Sequence, residues 1–164
     1  MYHIGIQSRW DSKSAIGTQF RGANSPVVNL TPLRYFSKAT LSGSNCFNPM
    51  PNLTYLALGK GVTWLGTGMF GQAKVLEYGQ LPSRLARIDY GIGNVKILVC
   101  LAPTPPNTSA SGNNLFTNAG YLQAIYVPDA SVDAYKNSTY KWKNYAAKIK
   151  PLSEYTGKVY YEAD

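Results

Sequence analysis

The sequence predicts a repeat solenoid, mainly β, in which short parallel strands stack as a right-handed coil and short helices close the C-terminal end. Three observations predict it. An apolar pattern superposes on itself at a fixed shift, Gly- and Pro-rich bends separate the apolar segments, and helical periodicity is confined to the part of the chain beyond residue 128.

Residues 1–32 precede the pattern. They offer Trp10, Ile16, Phe20, Val27 and Val28 for burial and are expected either to cap the first coil or to form an arm that engages a partner.

Residues 33–128 carry about 4–5 coils. Each begins with an apolar residue followed by others three and five positions on. Leu33 and Phe36 begin the motif, and Lys38 breaks its third position. Leu53, Leu56 and Leu58 complete it, as do Val95, Leu98 and Cys100, and Leu122, Ile125 and Val127. A shift of 23 residues places Leu53 on Leu76, Leu58 on Leu81, Val62 on Leu85 and Leu65 on Ile88. Leu56 meets Gly79 at that shift, and Phe70 meets Gly93. A Phe closes the turn before three of the strands, at Cys46-Phe47, Met69-Phe70 and Leu115-Phe116. One coil cannot bury its apolar side alone, so coils must stack, with strands about 4.8 Å apart. Gly59, Gly61, Gly66, Gly68, Gly71, Pro82 and Gly91 supply the bends.

Residues 129–164 form the C-terminal cap and tail. Asp129 or Ser131 is placed to cap a short helix through Lys136. A second helical pattern sets Trp142, Tyr145, Ala146 and Ile149 on one face, with Pro151 as its stop.

The repeats and their terminal module resemble the BspA-like leucine-rich-repeat family of bacteria, whose unit has the same order of strand, Pro or Gly bend, apolar pair and Phe. The resemblance covers residues 33–152 and is strongest over 95–152, in CLAPTPP, VPDASVDAYK and WKNYAAKIKP. It departs from the family in the missing Phe of the third coil and in the irregular first coil. It implies a leucine-rich-repeat fold and, since many members are exported, a role in binding host or bacterial surface molecules.

Composition narrows the function. The chain has 164 residues, is 45% hydrophobic and 15% charged, and has 16 basic residues against 8 acidic ones, for a net charge of +8. That excess favours an acidic partner. The cations are spread (Arg9, Lys13, Arg21, Arg34 and Lys38 early; Lys136, Lys141, Lys143, Lys148, Lys150 and Lys158 late), so a nucleic-acid stripe interleaved with aromatics is not expected. The two cysteines, Cys46 and Cys100, read as free, buried small residues. The opening MYHIGIQSRWDSKSAIG has no apolar run of leader length, and no stretch is long enough to span a membrane. The expectation is a protein acting without its own export signal, virion-associated, or extracellular if a leader has been removed.

The chemical inventory predicts no enzyme, no metal and no cofactor. His3 is the only histidine, which excludes clustered zinc ligation. Asp11, Glu77, Asp89, Asp129, Asp133, Glu154, Glu162 and Asp164 show no acid/base pairing, and GTGMFG and YGIGNV read as bends rather than phosphate loops. What remains is a surface. Two positions after each strand's first apolar residue stand Tyr35, Tyr55, Tyr78, Ile97 and Ala124; four positions after it stand Ser37, Ala57, Gln80, Val99 and Tyr126. Flanked by Arg34, Thr54, Glu77, Lys96 and Gln123, the tyrosines form either a binding face or a stack that stabilises the sheet. The candidate binding residues are Tyr35, Tyr55, Tyr78, Lys96 and Tyr126. The expected function is non-enzymatic docking to a protein assembly such as a virion or phage particle. The alternative is an adhesion module for surface protein or glycan.

Overall fold

The computed structural model describes residues 15–16, 22, 24–38, 40–41, 47–66, 76–89, 92–108, 115–116 and 118–162. The expectations for His3, Trp10, Phe20, Cys46 and Phe70, and for the bends at Gly68, Gly71 and Gly91, lie outside these residues.

The architecture is mixed α/β: a parallel six-stranded sheet with few helices and no closed barrel. Its strands are β2 (Asn29–Leu30), β4 (Tyr55–Ala57), β6 (Leu76–Leu81), β8 (Val95–Cys100), β9 (Ala124–Val127) and β10 (Ile149–Pro151), adjacent in that order. Two further parallel pairs join β1 (Ala15–Ile16) to β3 (Thr40–Leu41) and β5 (Trp64–Leu65) to β7 (Arg87–Ile88).

One apolar row explains the pairing. Leu30, Leu56, Gly79, Leu98, Ile125 and Ile149 are successive register partners across all six strands. The five with side chains are buried in one core, each contributing roughly 1.5–3 kcal/mol by leaving water. Leu53, Leu58, Leu76, Leu81, Val95, Cys100, Leu122 and Val127 belong to that core too, so the three-and-five spacing read from the sequence is an inward spacing. The 23-residue shift is literal: Tyr55 pairs with Tyr78, Trp64 with Arg87 and Leu65 with Ile88. Val62, Leu65, Leu85 and Ile88 are buried in the same cluster, and Phe47 and Phe116 join it.

The β2 edge of the sheet differs from the expectation. Its strand is Asn29–Leu30, ahead of the expected boundary at 33, while Leu33 belongs to a 3-10 segment, Thr31–Tyr35. Pro32, at the start of that segment, presets the backbone for it. Val28, offered for burial, is half exposed.

At the other end, 3-10 turn Asp129–Ser131 runs into α1 (Val132–Lys136), followed by 3-10 segment Lys141–Lys148 and β10. Segment 102–106 anchors these C-terminal turns through three of its carbonyls. Tyr135 Oη donates to Ala102 O at 2.8 Å, Ser131 Oγ to Pro103 O at 2.8 Å and Trp142 Nε1 to Pro106 O at 2.9 Å. Trp142 meets Tyr135 edge to face at 5.1 Å, and Tyr145 meets Phe116 at 4.9 Å. The expected helix caps are not formed. Ser131 is committed to Pro103, and Asp129 Oδ1 accepts from Ser153 N at 3.0 Å. Ile149 and Pro151 lie on a strand rather than ending a helix.

Candidate functional site

Parallel register also builds the outer side of the sheet. Tyr55, Tyr78, Ile97 and Ala124 form one row, and Ala57, Gln80, Val99 and Tyr126 the next. Both rows match the outward positions read from the sequence, apart from the β2 edge, where Asn29 stands beside Tyr55 and Tyr35 sits on the 3-10 segment.

Most of these rows are not open to solvent. Tyr78 is 4% exposed and Gln80 is fully buried, and neither belongs to the main core. The C-terminal tail lies over them. Tyr155 packs on Tyr126 at 4.8 Å between ring centroids and stacks on Tyr78 at 6.1 Å, so one ring bridges β9 and β6. Tyr160 meets Tyr78 at 5.6 Å. Gln80 Nε2 donates to Tyr160 O, while Gln80 Oε1 accepts from Tyr160 N at 2.9 Å and from Tyr78 Oη at 2.6 Å. Farther on, Glu162 accepts from Ser83 N at 3.1 Å. Burial, then the neighbouring Tyr155 and Tyr160 phenols, push the Tyr78 hydroxyl well above the usual phenol range. Tyr155 is raised as well, by burial first.

The five predicted binding residues therefore separate. Tyr55 and Tyr35 are 41% and 46% exposed, at the β2–β4 end of the sheet. Tyr78 is corrected from a surface residue to a covered one, because the tail supplies the aromatic partners its ring needs. Tyr126, three strands from Tyr55, is half-buried under Tyr155. Lys96 Nζ contacts Glu77 Oε1 at 2.7 Å across β8 and β6, a half-exposed pair that contributes little.

Sequence reasoning missed the cations that accompany the exposed tyrosines. Arg34 Nη1 donates to Thr31 O at 2.8 Å and Nη2 to Tyr35 Oη. Its guanidinium lies 4.0 Å from the Tyr35 centroid and 5.0 Å from that of Tyr160. Lys158 Nζ is 5.0 Å from the same Tyr160 ring. In the sequence Arg34 reads only as a flank of the tyrosine row and Lys158 only as tail charge; nothing local links residues this far apart.

Asp89 and Asp129 tie together segments about one strand repeat apart. Asp89 accepts from Trp64 Nε1 at 2.8 Å and pairs with Arg87. The Asp129 carboxyl is held below its usual range by the hydrogen bonds from Ser153. The Cys100 thiol, wholly buried, is pushed up to about 11 by burial, against the lowering effect of the Tyr135 hydroxyl 3.2 Å away. Among the described residues no cluster of three metal-ligating side chains occurs, and no helix is long and apolar enough to cross a membrane. No protein-family model matches the chain, and no curated protein matches it.

Proposed function

We propose that this protein is a non-enzymatic interaction protein of the BspA-like leucine-rich-repeat type, docking to an acidic partner within a larger assembly, a virion such as a phage particle. The coil reading is supported by the inward row that crosses six strands and by β5–β7, which repeats the same 23-residue register behind it. One observation carries the docking reading: exposed Tyr35 and Tyr55 lie at the same end of the sheet as Arg34 and Lys158, two cations with no carboxylate within 4 Å among the described residues. Aromatic rings with arginine are the composition of energetic centres in interfaces, and uncompensated positive charge selects an acidic surface.

The test is a photo-crosslinking amino acid placed at Tyr55 in the producing cells, compared with one at exposed Ala130 on the cap. A discrete protein adduct from position 55, absent from position 130 and weakened by added salt, is the expected result. Identical adducts from both positions, or none from position 55, would sink the docking reading.

A further inference from the structure

Arg34 and Lys158 approach one ring, that of Tyr160, each at 5.0 Å. Both also line one cavity, so two positive charges raise the local potential there, and a bound anion lowers it. The arginine is already oriented to meet one. Its hydrogen bonds to Thr31 O and Tyr35 Oη, with the Tyr35 ring 4.0 Å from its guanidinium, hold the planar fork in place before any ligand arrives.

These groups line a cavity of about 680 Å³, whose wall Asn29 and Pro32 complete. Its volume is that of a small-ligand site. Asn29 Oδ1 already accepts from Thr31 N at 2.8 Å, which leaves its amide N–H donors for a ligand oxygen. The lining thus combines two cations, an amide donor and two tyrosine rings.

We infer that this cavity binds a carboxylated sugar, either a free sugar acid or the acidic terminal residue of a glycan. The carboxylate sits at Arg34 and Lys158, with the arginine supplying a bidentate pair. Ring hydroxyls meet Asn29, and the apolar C–H face of the pyranose lies on an aromatic ring. An acidic peptide is disfavoured, because β2 at this edge is two residues long and offers too little backbone for an added strand. Two cations are also too few to follow a nucleic-acid backbone. The inference shares Arg34 and Lys158 with the docking reading but not Tyr55, which lies outside the cavity, so the two fail separately.

The experiment is calorimetric titration of the full chain with glucuronate, with a glucuronate-terminated oligosaccharide, and with glucose, inorganic phosphate and a tri-glutamate peptide. Glucuronate should bind at 0.15 M salt while glucose and phosphate bind at least tenfold more weakly. Tighter binding of the oligosaccharide identifies a glycan terminus as the source, and equal binding identifies the free acid. Lys158→Met, at an exposed position, should weaken glucuronate at least tenfold with no change in melting temperature, and Arg34→Met should do the same if it folds. Tyr55→Ser, outside the cavity, should leave sugar binding intact even where it abolishes docking. Phosphate or tri-glutamate binding as tightly as glucuronate overturns the inference, and so does glucuronate binding unaffected by Lys158→Met.

Discussion

Gln80 and Tyr160 hold each other as neighbouring strands do: the side-chain amide of one donates to the carbonyl and accepts from the N–H of the other. A single buried side chain thereby satisfies the backbone of a tail residue 80 positions away. Tyr78 donates to the same amide oxygen and packs on both tail rings, so the tail and the outer sheet form one hydrogen-bonded unit.

Gln80→Leu should release that tail. Leucine keeps the volume but leaves the Tyr160 N–H and C=O and the Tyr78 hydroxyl without partners, at about 1–3 kcal/mol for each group left buried and unpaired. Detachment is the cheaper outcome. Limited trypsinolysis should cut after Lys158 at least tenfold faster than in the wild type while the far-ultraviolet spectrum is preserved. An unchanged cleavage rate would show that the amide does not hold the tail.

The two paired tyrosines should behave differently. Tyr78→Ser removes a buried ring from between Tyr155 and Tyr160 and should cost about 3 kcal/mol or more, whereas Tyr55→Ser at an exposed position should cost under about 1 kcal/mol. Urea unfolding of both variants decides it, and equal losses would contradict the covering role of the tail.

Gly79 stands in the inward row where Leu56, Leu98 and Ile125 stand on other strands. A Cβ there would meet Val95 Cγ2 at 3.5 Å and Leu98 Cδ1 at 3.6 Å, ordinary contacts. Gly79→Ala should therefore stabilise the fold by about 0.5–1 kcal/mol, through added contact and a stiffer unfolded chain. Leu56→Asp, in the same row, should abolish folding by burying an unpaired charge. A destabilised Gly79→Ala in thermal melts would mean the core there has no room.

Alkaline pH should weaken the fold. The Cys100 thiol moves from an ordinary 9.0 to about 11 in the folded chain, so between those values the folded state keeps a proton that the unfolded state has lost. Stability is complete below pH 9 and falls as pH rises toward 11, by at most about 1.4 kcal/mol for each step of one in pH. Tyr78 and Tyr135, both raised by burial, act with the same sign. Urea midpoints measured from pH 8 to 11 should fall more steeply for the wild type than for Cys100→Ala, and parallel slopes would refute the assignment.

Gly157 leaves room for the Tyr155 ring. A Cβ there would overlap the Tyr155 ring, so Gly157→Ala should displace that ring from Tyr78 and Tyr126. Faster amide exchange at Tyr155 and Tyr160, with the exchange of β8 unchanged, is the expected readout.

By itself the sequence determined the spacing of the inward residues, the register of Tyr55 on Tyr78 and Leu65 on Ile88, and the short helix that ends at Lys136. These depend on local periodicity: β4, β6, β8 and β9 repeat the same three-and-five offsets, and for β4 with β6 and β5 with β7 the shift of 23 is also the pairing register. The β2 edge escaped because Leu33 and Phe36 imitate those offsets while Pro32 sits in a 3-10 segment and Asn29–Leu30 takes the edge of the sheet. Only the tertiary structure decided which outward tyrosines meet solvent. The tail has no repeat to align it, and its course over Tyr78, Gln80 and Arg34 is set by ring packing and by the need of buried amides for partners. Such contacts join residues more than a hundred positions apart in the case of Arg34 and Tyr160, and no periodicity in the chain encodes them.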